Sequence, residues 1–415
     1  MTIFRALAAF MRTRGLATRL KTRDDVTHYQ QRRLKPWYEK IRRSIPYFQK
    51  HGKNDFFAEP CLDKASLMKN FAAYNSAGVT ADDGWAMFEN RRPPPPGCHV
   101  GASTGTSGNR GLYVISDAER YEWLGVILAK TLPRYPLESA RIALILPMNS
   151  ALYKTVRAPG LSLQFFDLNN GLDVVASEVI AYTPDTVIAP PKVLRALAEA
   201  PDPPALKRIF SGAEVLDPLD RDVIEARFGV IVREIYMATE GLLGVACAHG
   251  TLHLCEDAVL FEWEDVPDSD LKTPIITDFT RTTQAMCRYR MNDLVRLSDR
   301  PCRCGSPYQA VAAIAGRADD LLFIGGTHTL TPDILRNAIV DSDRRVQDFR
   351  LHQTGPDDLM LILDADLPAD AAAKAKGALA CLLAGLDLLV TITVRQEALT
   401  TSARKLRRVE RLWRA

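Results

Sequence analysis

Apolar residues recur at helical spacing between Asp24 and Phe48 (Tyr29, Leu34, Trp37, Tyr38, Ile41, Ile45) and predict one basic amphipathic helix there. Cys61 to Tyr74 reads as a capped helix entry, and Asp117 to Thr131 as a further helix. Short apolar runs follow, at Arg141–Leu146, Leu163–Leu168, Thr186–Ala189, Lys207–Ser211 and Val230–Tyr236, and predict buried strands. Helical patterns near Ala151–Val156, Leu172–Ala181, Lys192–Ala200 and Leu219–Phe228 lie between them. That alternation predicts a doubly wound, mostly parallel sheet with helices on both faces. Val259–Glu264 and Pro274–Thr277 predict strands of a β-rich part. Beyond them the order is strand (Leu321–Ile324), helix (Pro332–Val340), strand (Gln347–His352), strand (Leu359–Leu363), helix (Ala371–Leu383), strand (Leu388–Val394), a ferredoxin-like α+β pattern. Thr331 and Asp370 suit N-caps of those two helices. The expected fold is therefore α/β. It has a large N-terminal domain, residues 1–316, and a small C-terminal α+β domain, residues 317–415, that carries a basic tail.

Composition changes this picture little. The 415 residues are 47% hydrophobic and 25% charged, as in ordinary globular chains. A net charge of +3 gives no electrostatic case for nucleic acid. No apolar run approaches the roughly 18 residues of a membrane span. The stretch Met1–Arg12 is apolar but interrupted by Arg5 and Arg12, so it lacks the unbroken core of a signal peptide. A helix packed on the domain is expected there in preference to a basic membrane-surface helix, and the expected location is cytoplasmic. Eight dispersed cysteines then read as reduced thiols or metal ligands, not as a disulfide framework.

The chemistry concentrates in a few stretches. Val100 to Ser116 interleaves Ser103, Thr104, Thr106 and Ser107 with Gly101, Gly105, Gly108 and Gly111. Glycines let backbone N–H groups turn toward an anion, and the hydroxyls add donors, so a polyphosphate suits the loop. The Gly-Lys-Ser/Thr of a Walker A loop is absent. Ser211-Gly212-Ala213-Glu214 and Tyr236-Met237-Ala238-Thr239-Glu240 both follow predicted strands, where ligands of parallel sheets bind.

Taken in order, these motifs resemble the adenylate-forming superfamily of acyl- and aryl-CoA synthetases. The likeness is nearest to phenylacetate–CoA ligases and the deazaflavin-coenzyme adenylating synthetases, and it covers nearly the whole chain. The resemblance implies that Ser103–Gly108 (Ser103, Thr104, Gly105, Thr106, Ser107, Gly108) grips the ATP β- and γ-phosphates. A lysine often follows that loop in the family; here the nearest cation is Arg110. It implies that Ser211–Glu214 contacts adenine and that Tyr236 stacks on it. Thr239 then meets the α-phosphate and Glu240 helps hold Mg2+, chemistry that needs an oxygen ligand and a donor for developing charge. Arg288-Tyr-Arg-Met-Asn-Asp293 resembles the family's Arg-Tyr-x-x-x-Asp, with Asp293 on the ribose hydroxyls. Asp278-Phe-Thr-Arg-Thr282 strengthens that match. Gly316-Arg317-Ala-Asp-Asp320 resembles the hinge before a mobile C-terminal domain, with Arg317 on ribose or phosphate and Asp319 or Asp320 as pivot. Lys405, in Arg404-Lys-Leu-Arg-Arg-Val409, stands where the family's catalytic lysine bridges carboxylate and α-phosphate, although Arg404 replaces the family's glycine.

A second constellation is Cys302-Arg-Cys304 with Cys247, His249, His253 and Cys255 upstream. Two thiolates plus a Cys/His pair complete a tetrahedral Zn2+ site, and Cys247, His253, Cys302 and Cys304 are the expected set, with His249 as substitute. Similar clusters occur in some phenylacetate–CoA ligase relatives as structural zinc. The expected activity is ATP- and Mg2+-dependent adenylation of a carboxylic acid, aromatic by resemblance. Transfer to CoA, an acyl carrier protein or an amine would follow. Two alternatives stand beside it, adenylation of a phenolic hydroxyl and a non-catalytic nucleotide-binding protein. The oligomeric state is open, with a homodimer among the options.

Overall fold

The computed structural model describes residues 2–103, 110–146, 156–267, 269–325, 328–346, 348–399 and 408–413. Thr104–Gly108, Lys405 and most of the expected helix at 151–156 lie outside them; Val156 opens a strand instead. The chain divides into two compact units. The larger takes in residues 1–263, 274–291 and 297–312, and the smaller takes in 264–273, 292–296 and 313–415.

The larger unit opens with helices α1 (Thr2–Arg19), α2 (Arg23–Ser44) and α3 (Pro46–His51). The one helix expected over 24–48 is thus two, because Ile45 precedes a proline and is extended, at φ −111° and ψ 124°. Helix α4 (Lys64–Lys69) is capped by Asp63, and a 3₁₀ turn at Phe71–Tyr74 takes the rest of the expected 61–74 helix. After α5 (Ala81–Phe88) comes an antiparallel hairpin, β1 (Cys98–Ala102) and β2 (Leu112–Ser116), then α6 (Asp117–Thr131). Helix α1 packs on α6, as expected for the start of the chain. Gly125 permits the approach, since a Cβ there would lie 2.1 Å from the Ala6 carbonyl oxygen.

The α/β layer follows as β3 (Ala140–Leu146), β4 (Val156–Ala158), β5 (Leu161–Asp167), α7 (Leu172–Tyr182), β6 (Thr186–Ala189), α8 (Pro191–Glu199), β7 (Arg208–Gly212) and α9 (Pro218–Phe228). It continues with β8 (Val232–Ala238), β9 (Gly241–Ala246) and β10 (Leu252–Leu254). The strand order is β4-β5-β3-β6-β7-β8-β9-β10. From β5 to β8 every neighbour is parallel, and the flanking pairs are antiparallel. Val187, Val193, Leu194, Leu197, Ile209, Ile224 and Val232 are fully buried between sheet and helices. Each parallel strand therefore ends on the same edge, where the candidate motifs lie.

Next come β11 (Val259–Asp265), β12 (Lys272–Asp278), β13 (Tyr289–Arg290), β14 (Asp293–Leu297) and β15 (Ala310–Arg317). The smaller unit ends with β16 (Leu322–Ile324), β17 (His328–Leu330), α10 (Pro332–Val340), β18 (Phe349–Gly355), β19 (Asp358–Asp364), α11 (Ala369–Ala384), β20 (Thr391–Glu397) and β21 (Val409–Arg411). Its sheet runs β20-β19-β18-β21 and backs onto a core of Leu335, Ile339, Phe349, Leu351, Leu361 and Leu379. The α+β character is as expected, with one change of partner: β16 leaves that sheet and pairs with β17, and β21 takes the remaining edge. Thr331 holds the cap position of α10 without a side-chain cap bond, and Asp370 lies inside α11, paired with Arg345 at 2.5 Å.

Candidate active site

The glycine-rich loop begins at the turn end of the β1–β2 hairpin, where Ala102 pairs with Leu112. Gly101 lets the Tyr113 ring lie against β1, since a Cβ there would be 2.3 Å from that ring and would displace it. Ser103 closes the hairpin: its N–H donates to the Gly111 carbonyl at 2.7 Å, and its Oγ accepts the Gly111 N–H at 2.8 Å. Arg110, the cation nearest the loop in sequence, lies over Trp85 (5.2 Å) and Phe88 (5.0 Å) of α5. Those rings hold its guanidinium by cation–π attraction.

Ser211 and Gly212 end β7, and Ala213 turns the chain at φ +68°. Glu214 faces Lys192 of α8 at 3.4 Å, with both side chains about 5% exposed. The Ser211 hydroxyl is buried and makes no hydrogen bond to a described residue. On the neighbouring strand, Tyr236, Met237 and Ala238 finish β8, where the register with β9 shifts between Tyr236 and Met237. Thr239 and Glu240 form the tight turn into β9, with Thr239 Oγ1 donating to Glu240 Oε2 at 2.8 Å. Gly241 has φ +150°, and a Cβ there would sit 3.0 Å from Asp278 Oδ2.

One residue to which no separate role was assigned above ties these pieces together. Buried Arg281 donates from Nη1 to the carbonyls of Thr239 (3.1 Å) and Glu240 (3.0 Å). Its Nη2 reaches the Val114 carbonyl (3.4 Å) and Gln284 Oε1 (3.3 Å), and Gln284 Oε1 accepts the Val114 N–H at 2.8 Å. One guanidinium thereby joins the Thr-Glu turn to the strand that leaves the glycine-rich loop. Its signal in the sequence was a cation inside the Asp278-Phe-Thr-Arg-Thr282 motif. Burial pushes the Asp278 carboxyl up, against the pull of Arg281 and Thr280. Beside it, burial would raise Glu119, but hydrogen bonds from Ser116, Thr282 and Thr283 outweigh that and hold it below the usual range.

Arg288 is structural: it pairs with Glu262 at 2.9 Å and donates to the Phe57 and Glu59 carbonyls. In the smaller unit, Arg317 lies 3.9 Å from Asp293, and Asn292 donates to Asp319 at 2.6 Å.

The cysteine set converges in the larger unit. One ligand atom from each of Cys247, His253, Cys302 and Cys304 lies within 4.8 Å of every other. The Cys247 and Cys302 sulfurs are 3.8 Å apart, the edge of a tetrahedron with Zn–S bonds of about 2.3 Å. His253 Nδ1 meets the Tyr308 carbonyl at 3.1 Å, which turns Nε2 toward Cys304 Sγ at 3.3 Å. Such a carbonyl partner fixes the tautomer of a metal-binding histidine. His249 is exposed and contributes only its backbone N–H, to Cys247. The donor set fits zinc, and His253 rather than His249 completes it.

No family model matches the chain. A phenylacetate–coenzyme A ligase of Thermus thermophilus is 26% identical over 163 residues, 36% of each chain. One of Pseudomonas putida is 28% identical over 175 residues, 37% of this chain and 38% of that protein. These matches span little more than a third of the curated relatives' length. Among solved structures, 2-hydroxyisobutyryl-CoA ligase in its postadenylation state superposes with a TM-score of 0.65 at 17% identity, covering 92% of this chain and 88% of the other. That likeness establishes the fold.

Proposed function

We propose, from the premise that this chain is a phenylacetate–CoA-ligase-like member of the adenylate-forming superfamily, that it activates a carboxylic acid with ATP and passes the acyl group to CoA. The observation that supports this reading is the Arg281 tie, which joins the Thr-Glu turn after β8 to strand β2 of the glycine-rich hairpin. An aromatic acid is favoured by the phenylacetate–CoA ligase relatives.

In the first step a carboxylate oxygen bonds to the α-phosphorus, the bond to the β-phosphate bridge breaks, and pyrophosphate leaves. Ser103 and the residues after it would bind the β- and γ-phosphates, and Thr239 would donate to the α-phosphate. Glu240 is an oxygen donor suited to Mg2+, which would offset the phosphate charge. Ser211–Glu214 and Tyr236 would frame adenine, Asp293 would accept the ribose hydroxyls, and Arg317 would lie beside them. Lys405 would neutralise the two approaching anions. In the second step a thiol sulfur bonds to the acyl carbon and AMP leaves. Cys247, His253, Cys302 and Cys304 would hold a structural Zn2+, since four protein ligands leave no open position for chemistry.

The test is pyrophosphate exchange with ATP, Mg2+ and a panel of aryl and alkyl acids, beside Lys405→Ala. Acid-dependent exchange that falls at least about a hundredfold in the variant, near 2.7 kcal/mol, is expected. Exchange with no acid in the panel would overturn the carboxylate reading. Exchange indifferent to Lys405→Ala would overturn only the lysine's role.

A further inference from the structure

Helix α1 has two faces. One packs on α6. On the opposite face, at i, i+3 and i+7 spacing, Phe4, Leu7 and Met11 are 72%, 55% and 62% exposed. Single exposed apolar residues are ordinary, but three in line form a contiguous stripe. On the flank of α1 that carries Arg5, a cleft of about 340 Å³ opens between α1, α2, the first turn of α6 and residues 279–282. Four exposed cations line it, Arg5, Arg32, Arg33 and Lys40, and none has a carboxylate partner among the described residues. The two carboxylates in the cleft are already engaged. Glu119 accepts from Ser116, Thr282 and Thr283, and Glu122 pairs with Arg12 at 2.7 Å. Glu122 is neutralised by Arg12, whereas the donors to Glu119 are neutral and its charge offsets one of the four cations, so the cleft keeps an excess of positive charge; Arg5 belongs to it and follows Phe4 along the helix.

We propose that this face docks on an anionic lipid surface, with lipid phosphates in the cationic cleft and Phe4, Leu7 and Met11 in the headgroup–acyl boundary. An apolar stripe flanked by arginines is the signature of a helix lying in a membrane interface. A second copy of the chain would bring the same dense positive charge against itself. A free phosphate would occupy the cleft and leave the stripe without purpose. The inference is independent of the adenylation chemistry.

The test is sedimentation of the full chain with phosphatidylcholine vesicles, with and without phosphatidylglycerol as a third of the lipid. Binding to the anionic vesicles alone, weakening as salt shortens the reach of the charges, is expected. Arg32→Gln/Arg33→Gln should lower partitioning about 25-fold, about fivefold for each charge near the surface. Phe4→Ser/Leu7→Ser/Met11→Ser should remove the binding that survives at higher salt. Unchanged thermal midpoints will show that both variants fold, whatever the enzymatic activity. Failure of the wild type to bind anionic vesicles at low salt would overturn the proposal, as would binding that both variants retain. Capture of the protein by an immobilised acidic peptide but not by vesicles would assign the face to an acidic protein instead. Inorganic phosphate that binds in the cleft with no vesicle binding would reduce it to a small-anion site.

Discussion

Glu119 shows how much one side chain carries. Its Oε2 caps α6 by accepting the Ser116 N–H at 2.8 Å, while its Oε1 accepts the Thr282 and Thr283 N–H groups at 2.5 and 2.8 Å. Because these bonds favour the ionised form, the folded carboxyl titrates below the unfolded one. Such a group adds stability that is fully present above the unfolded value of about 4.3 and is lost as pH falls through the folded value. Glu119→Gln should therefore cost about 2 kcal/mol near pH 7, and the gap to wild type should narrow below about pH 4. Urea unfolding at both pH values checks this; a gap that does not change with pH would mean that hydrogen-bond geometry, not charge, is at stake. Half of this role was legible. Ser116-x-x-Glu119 is a capping-box spelling, but its partners at 282 and 283 are distant in sequence and no local pattern names them. Arg281 escaped for the same reason: both groups it joins lie far from it along the chain.

Among elements, the parallel strands and their helices were legible because each carries its own period and its own end signals. Thr186–Ala189 and Pro332–Val340 fall on the expected residues. The departures occur where the decision is tertiary or sits on one residue, as in the break at Ile45 or the choice of β17 as partner for β16. The Cys/His cluster combines both kinds. Cys302-x-Cys304 is a local signal, whereas the choice between His249 and His253 needed the fold, since His253 is on β10 facing the thiols and His249 is in the preceding turn. The cluster links the β9–β10 hairpin to the loop between β14 and β15, so a metal held there should act on stability. Elemental analysis is expected to find about one zinc per chain, lost in His253→Ala and Cys302→Ser and kept in His249→Ala. Chelation should lower the thermal midpoint while pyrophosphate exchange by the remaining folded protein stays within about threefold, the behaviour of a closed site. Zinc retained in His253→Ala would refute this ligand set.

At the scale of the molecule, the two proposed half-reactions ask for two arrangements of the same groups, and the segment Gly316–Asp320 is the proposed place of change. Within the smaller unit it is well held. Gly316 has φ +141° with Pro332 packed 3.3 Å from where a Cβ would be, the Ala318 N–H donates to the Asn292 carbonyl at 2.9 Å, and Asn292 donates to Asp319 at 2.6 Å. Ala318–Asp320 form a 3₁₀ turn, whose φ values of about −50 to −70° match the φ that proline imposes. Asp319→Pro pins φ at that position near the value of a 3₁₀ turn and so resists rearrangement of the turn, although it also crowds Ala318 before it. Both Asp319→Pro and Asp319→Ala lose the contact to Asn292, so the alanine variant controls for that loss. With an acid identified by pyrophosphate exchange, Asp319→Pro should keep that exchange within about threefold and lower acyl-CoA formation at least about tenfold, a barrier rise of some 1.4 kcal/mol confined to the second step. Asp319→Ala should leave both steps within about threefold of wild type, since the turn stays free to change. Equal losses of both steps in the proline variant would indicate local damage rather than a blocked motion. Full acyl-CoA formation in that variant would move the pivot away from this residue.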